Sequence, residues 1–279
     1  MNNTTSRPRI AAYSLCYMEG ALLAANIRRM YGLIDEFRVV IGAANAGSCY
    51  RPPIDNTSAA FLKAIPDPEH KIHIVSSEAA WLSKEIMARV ATNGLKADIL
   101  LHLDADEFWR IPAFKAAVND LANGTMDRIR VPHIIYFGDC QHMEVSIDGH
   151  SPLFCPVRLM KMKPDCIIKH LGAGFTDTSG RMVGTEATVL SQAPLWHFAW
   201  IGDKRVLRKL AYYTTARHLN LFSAVQWKQA KARNWNTGSE TFLTNIGPVA
   251  VVPCSASLVA PPDIQQTVLE AVGDAKVTG

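Results

Sequence analysis

The sequence predicts an α/β fold: a doubly wound, mostly parallel sheet flanked by helices, with an irregular C-terminal half. Three observations predict it. Short apolar runs alternate with helix-patterned segments through about residue 125. One run, Leu100, Leu101 and Leu103, is apolar on successive positions, which suits a strand buried on both faces. The chain has 279 residues, 48% hydrophobic and 19% charged, enough for one large globular α/β domain.

The elements follow in order. Arg9 to Leu15 reads as a first strand, and Glu19 to Met30 as a helix whose apolar positions recur at three and four. Phe37 to Ile41 is a second strand. Gly42 to Asn56, rich in Ala, Gly, Asn, Ser and Pro, is a loop. Lys71 to Val75 is a third strand, Ala79 to Asn93 a helix with Gly94 just past its end. Ala97 to Leu103 is a fourth strand and Phe114 to Ala122 a helix. Ile129 to Phe137 is a further strand in which Pro132 demands an edge or a bulge. Beyond it come short apolar runs near 153–162, a Gly-rich stretch at 172–184 and a helix from Lys204 to His218. The tail after Pro253 is weakly patterned, as a partly mobile terminus is.

The fourth strand ends in acids: LLHLDADEFW, residues 100–109. An unpaired carboxylate in a low-dielectric interior costs several kcal/mol or more. Asp104 and Asp106, two apart, project together if the strand extends that far. Two neighbouring carboxylates repel unless positive charge lies between them, and Mg²⁺ or Mn²⁺ fills that role with oxygen ligands. The structural alternative is a helix cap or a pairing with surface Arg and Lys. Ligands of doubly wound sheets bind beyond the carboxyl ends of the strands, where these acids sit.

ADILLHLDADEFW resembles the DxD segment of glycosyltransferases with the nucleotide-diphospho-sugar transferase (GT-A) fold, especially the family 2-like group. SLCYMEGALLAANIRRMYGLIDEFRVVIG resembles that group's opening. The resemblance covers roughly residues 9–140. It implies a metal-dependent transfer of a sugar from a nucleoside-diphosphate sugar to a hydroxyl acceptor, a glycan or lipid-linked saccharide. It further implies one catalytic unit over 1–253, with a nucleotide-sugar half at 9–140, an acceptor half at 141–253 and a tail at 254–279. Asp106 is the implied metal ligand, and Asp104 a ligand or a contact to the donor. Glu107 binds the ion, orients the sugar or forms a structural ion pair. Two regions that hold the nucleoside in the family depart from its pattern. Tyr17 and Met18 precede Glu19 where the family has Asn, and the second loop reads Ala43, Ala44, Asn45 where an Asp is usual.

His197, between Trp196 and Trp200, resembles the late histidine that joins the metal in several such enzymes; otherwise it is a core histidine. Lys204, Arg205, Arg208 and Lys209 make one helix end basic, either a solvated face or a counter-charge for diphosphate or an anionic acceptor. Lys84 is a further candidate for that task. A general base for the acceptor hydroxyl is sought among Asp139, Asp177 and Glu186, with Asp177 and Glu186 flanking the Gly-rich stretch. Trp227 and Trp235 suit core packing, or stacking on sugars.

Other classes fit less well. No HExxH or CxxC supports zinc, and the six cysteines read as free thiols. A phosphohydrolase places its Asp nucleophile on the first strand, and a sugar nucleotidyltransferase expects a Gly-rich basic loop where CYMEGA stands. A non-catalytic carbohydrate- or nucleotide-binding module is the remaining alternative. Net charge of +4 permits an anionic ligand and does not announce nucleic acid. MNNTTSRPR lacks the apolar core of a secretory signal, and no run reaches the ~18–20 apolar residues of a membrane span. A soluble cytoplasmic chain is expected, with peripheral contact to the inner face of a membrane left open.

Overall fold

The computed structural model describes residues 7–44, 54–124, 126–147, 155–163, 167–169, 174–176, 181–184, 188–189, 194–216, 221–237, 240–244 and 247–273. The alternating half runs β1 (Ile10–Cys16), α1 (Gly20–Met30), β2 (Glu36–Ile41), α2 (Ser58–Lys63), β3 (Ile72–Ser76), α3 (Lys84–Thr92) and β4 (Ile99–His102). Then come β5 (Glu107–Phe108), α4 (Ile111–Asn123), β6 (Arg128–Arg130), β7 (His133–Gly138), β8 (His142–Ser146) and β9 (Val157–Lys161). Four short strands follow: β10 (Ile167–Lys169), β11 (Gly174–Thr176), β12 (Met182–Val183) and β13 (Thr188–Val189). The chain continues through β14 (Leu195–Ile201), α5 (Asp203–Ala216), α6 (Ala224–Ala232), β15 (Thr241–Thr244), β16 (Gly247–Pro253) and α7 (Pro262–Val272).

The main sheet has seven strands in the order β13-β6-β9-β4-β1-β2-β3. Strands β4, β1, β2 and β3 are parallel, and β9 runs antiparallel between β4 and β6. Apolar side chains cover both faces, as the unbroken apolar strands require. On one face α1 buries Leu22, Leu23, Ile27 and Met30 against Ala12, Val39 and Leu101. On the other, Met87, Ala88 and Ala91 of α3 pack with Ala11, Tyr13, Val40 and Leu100. This is the doubly wound α/β class that the alternation predicts. A second sheet of six strands, β15-β16-β8-β7-β14-β5, builds the later half. Its core is aromatic: Phe137, Trp200, Phe222, Trp227, Trp235 and Phe242 pack together, so Trp227 and Trp235 are core residues. Gly138, at φ +83, lies so close to the Trp235 indole that a Cβ there would overlap it. In this sheet Glu144 of β8 is buried, and among the described residues neither carboxylate oxygen has a well-formed hydrogen bond. Burial pushes it up to about 8, and Trp200 and Lys209 only partly oppose the rise.

Several expected elements take a different form. The strand expected over 129–137 is two strands in two sheets. Pro132 has no N–H to give a ladder, and the chain crosses there from β6 to β7. Helix α3 begins at Lys84 and not at Ala79, because Ser83 caps it by accepting from Ile86 N and Trp81 is held back by a bridge to Ala44. Helix α2 lies just past the expected loop. Asp55 anchors it by accepting from Ser58 N (3.0 Å) and Ser58 Oγ (2.6 Å), and it also accepts from Met18 N in the first loop (2.5 Å). The tail after Pro253 is not a loose terminus over its described part. Ala260, Ile264 and Val268 are buried in the core that holds α1. Among the described residues no helix is long and apolar enough to cross a membrane.

Candidate active site

The acid loop is fixed from both sides. Leu103 N donates to Tyr13 O (3.0 Å), and Ser14 Oγ donates to Leu103 O (2.6 Å). From α1, the buried Asn26 donates through Nδ2 to the carbonyls of Asp104 (3.2 Å) and Glu107 (2.6 Å). The chain then forms β5, which pairs antiparallel with β14 and sets His197 opposite Glu107. Phe198 N donates to Asp106 O (2.9 Å), locking the register. This short ladder brings two motifs far apart in sequence into one site.

Asp106 is nearly buried, and its Oδ2 faces three cationic or ionisable groups: Arg205 Nη2, Lys209 Nζ (3.5 Å) and His197 Nε2 (3.5 Å). Burial alone would raise its pKa. The charges of His197, Lys209 and Arg205 outweigh that and hold Asp106 well below the usual carboxylate range. Arg205 is itself pinned. Its Nε donates to Glu19 Oε1 (2.7 Å), and Nη1 donates to the carbonyls of Phe198 (2.6 Å) and Ala199 (3.0 Å).

A second buried guanidinium, Arg158 of β9, holds the other acids. Its Nε donates to Glu107 Oε2 (2.5 Å), and Nη2 donates to Glu107 Oε1 and to Asp104 Oδ2 (2.9 Å). Nη1 lies 3.1 Å from His102 Nδ1. A guanidinium has no acceptor, so His102 Nδ1 accepts and its proton sits on Nε2, 3.1 Å from Asp104 Oδ1. Burial favours this neutral ring by lowering its pKa. Glu107 is pushed up to about 7 by burial, against the pull of Arg158. His133 Nδ1 lies 3.2 Å from His197 Nδ1 and 3.6 Å from Glu107 Oε1. Burial, reinforced by Arg158, drives His133 well below the ordinary histidine range.

The acids, His102, His197 and the two guanidinium groups, but not His133, line a cavity of about 690 Å³ at the carboxyl ends of β1, β2 and β4. Glu19, Lys84, Asp104, Asp106 and His197 all border it. The basic end of α5 is not a solvated face. Arg205, Arg208 and Lys209 line the cavity, and only Lys204 is exposed. Arg208 Nη2 donates to Met18 O (2.8 Å). Asn45, Asp177 and Glu186 lie outside the described residues. Asp139 does not line the cavity; its Oδ1 accepts from the backbone of Gln141 (2.8 Å) and His142 (2.9 Å) in a turn. Glu107 takes the ion-pair role. Sequence reasoning missed Asn26, His102, His133 and Arg158. Arg158 alone left a signal, a lone charge inside the apolar run PVRLM.

The residue types suit a divalent cation, although Asp104, Asp106 and His197 do not gather their ligand atoms within 4.8 Å of one another. The ion pairs of Asp106 run through Oδ2, and the Asp104 side chain is 32% exposed toward solvent. With the His197 imidazole they offer the oxygen and nitrogen ligands that suit Mn²⁺ or Mg²⁺. Glu107, His133 and His197 do place ligand atoms within 4.8 Å of one another, but Arg158 engages both Glu107 oxygens.

No protein-family profile matches the chain, and no curated protein does. Solved structures are similar to it at low identity. One is the mannosyltransferase PcManGT from Pyrobaculum calidifontis in complex with GDP-Man and Mn²⁺, at 18% identity and a TM-score of 0.35 over 46% of this chain. Another is glucosyl-3-phosphoglycerate synthase from Mycobacterium tuberculosis with Mg²⁺ and UDP, at 14% identity and a TM-score of 0.33 over 47% of this chain. The chain spans only 36% and 44% of those two proteins. S. aureus TarS 1-349 is similar over 95% of this chain and 79% of its own, at 12% identity and a TM-score of 0.44.

Proposed function

We propose that the chain is a metal-dependent glycosyltransferase that moves a sugar from a nucleoside-diphosphate sugar to a hydroxyl of a glycan or lipid-linked saccharide. One observation carries the reading: Asp104, Asp106 and His197 converge on one cavity wall at the carboxyl ends of parallel strands, facing the basic residues of α5. Asp106, Asp104 and His197 would hold Mn²⁺ or Mg²⁺. When bound, the ion acts as a Lewis acid on diphosphate oxygens. Arg208, Lys209 and Lys84 supply positive charge to the leaving diphosphate. Glu19, together with Asn45 in the second loop, contacts the donor. The acceptor proton passes to a carboxylate, for which Asp177 and Glu186 are proposed. The unit spans 1–253 with the following segment packed onto it through α7; the donor lies in 9–140 and the acceptor in 141–253, and the unit works in the cytoplasm, in solution or against the inner face of a membrane.

The test is release of nucleoside diphosphate from a panel of sugar donors, with Mn²⁺ or after chelation. Wild type is expected to release it only with the ion, and Asp106→Ala or His197→Ala to lose at least tenfold. Hydrolysis of simple phosphate esters without donor turnover would instead favour a phosphohydrolase. Tight donor binding without any release would favour a binding module.

A further inference from the structure

The transfer reading leaves His133 without a task. This histidine is buried on β7 and does not border the cavity, yet its Nδ1 lies 3.2 Å from His197 Nδ1 and 3.6 Å from Glu107 Oε1. The second sheet explains the meeting. Its strand order runs β7-β14-β5, so the three residues come from three adjacent strands. His197 pairs with Ile135 on one side and with Glu107 on the other. His133 stands two residues before Ile135, and side chains repeat every two residues, so all three project from one sheet face. Among the described residues this is the set of His, Cys, Asp and Glu side chains whose ligand atoms all lie within 4.8 Å of one another.

The distances fit a small ion. Zinc takes imidazole nitrogen and carboxylate oxygen at about 2.0–2.1 Å, so separations of 3.2 and 3.6 Å subtend about 100° and about 120° at its centre, near tetrahedral. The third edge, His197 to Glu107, is at most 4.8 Å, and closing it asks for a side-chain shift of no more than about 1.5 Å. Arg158 donates to both Glu107 oxygens, but each carboxylate oxygen has two lone-pair sites, so Oε1 can accept and ligate together. Asp106 Oδ2, 3.5 Å from His197 Nε2, stands behind that ring as the kind of carboxylate that fixes the tautomer of a ligating histidine. Glu107 and His197 border the cavity, so the fourth position opens there to water. Two imidazoles and one carboxylate suit Zn²⁺ or Co²⁺, whereas Mg²⁺ prefers oxygen.

We propose that Glu107, His133 and His197 form a zinc site, separate from the carboxylates of Asp104 and Asp106. Zinc on Nδ1 of His197 leaves the Nε2 proton directed at Asp106 and so takes that nitrogen from Mn²⁺. Zinc is thus an inhibitor of transfer, a consequence that rests on the transfer reading above.

Titration of the full chain with Co²⁺, followed by visible absorption, tests the site without a sugar donor, because four-coordinate cobalt absorbs far more strongly than six-coordinate cobalt. A single equivalent is expected to bind in four-coordinate form, to be displaced by Zn²⁺ and to be retained against excess Mg²⁺. His133→Gln should weaken Co²⁺ binding by about tenfold or more and abolish the four-coordinate spectrum. Should that variant fail to fold by circular dichroism, His197→Gln, at a partly exposed position, has the same effect. Asp104→Asn should leave the spectrum in place. No four-coordinate spectrum, a thiolate charge-transfer band, an unchanged spectrum in a folded histidine variant, or its loss in folded Asp104→Asn would each overturn the proposal. Turnover of a sugar donor with Mn²⁺ is scored separately. Zinc is expected to inhibit wild type and to spare His133→Gln at the same concentration, and equal inhibition of both overturns the shared role of His197. A cobalt site without turnover sinks the transfer reading alone, and turnover without a cobalt site sinks this proposal alone.

Discussion

Replacing Glu144 by Gln should change how stability depends on pH. The carboxyl is buried in the second sheet with no well-formed hydrogen bond to either oxygen among the described residues, and burial carries it from 4.5 to about 8. Below pH 4.5 it is protonated whether the chain is folded or not, so the shift costs nothing there. As pH rises toward 8, the unfolded chain releases its proton first, and the folded state loses stability over that window. Above about pH 8 the loss is complete. A gap of about 3.5 units sets a ceiling of roughly 5 kcal/mol, and local relaxation brings the expected loss to roughly 2–5 kcal/mol. Gln cannot titrate. Its amide leaves the site short of hydrogen bonds by a cost that does not change with pH. Thermal unfolding followed by circular dichroism at pH 5.5, 7 and 9 measures the difference. The Tm of Glu144→Gln, relative to wild type, should rise by roughly 3–14 °C between pH 5.5 and 9, since that range spans about 1.4–3.5 kcal/mol of the loss at about 2–4 °C per kcal/mol. Parallel Tm curves across that range would show that Glu144 does not titrate with the shifted value, and the reasoning would fail.

Asn26→Ala removes the two donors that hold the Asp104 and Glu107 carbonyls. Urea denaturation should show a loss of about 1–3 kcal/mol, and donor turnover should fall about tenfold; unchanged turnover means the clamp is dispensable. Gly138→Ala places a Cβ into the Trp235 indole at a backbone angle that disfavours side chains, so its Tm should drop by an amount equal to about 2 kcal/mol or more. A native-like Tm would show that the aromatic core yields easily. Arg158→Met strands the buried Glu107 and should cost about 3–5 kcal/mol. Adding Glu107→Gln should recover part of that loss, and purely additive losses would mean the two side chains are not coupled.

The parallel half was readable because its strands are apolar on consecutive positions and its helices carry an apolar stripe, both local patterns. The acid cluster was readable for the same reason: three carboxylates within four residues of Leu103 demand positive partners wherever the chain folds. His197 was picked out by resemblance and sits on the cavity wall beside Asp106. What escaped was set by contacts between distant residues. Nothing near Glu107 says that two residues there will pair with β14, and no spacing marks His133 as a neighbour of His197. Arg205 reads locally as one more charge on a polar helix, and only tertiary packing turns it toward Asp106. Pro132 gave the clearest warning of a break, yet a bulge and a change of sheet look alike in one dimension.

The division of charges between the two halves of the chain bears on how the protein is made. Glu19, Asp104, Asp106 and Glu107 leave the ribosome well before the two guanidinium groups that neutralise them. A nascent chain that ends near Gly138 carries its acids uncompensated, with β14 not yet there to zip onto β5. Its acid cluster is therefore neutralised late, and a shortened product bears the acids without their cationic partners.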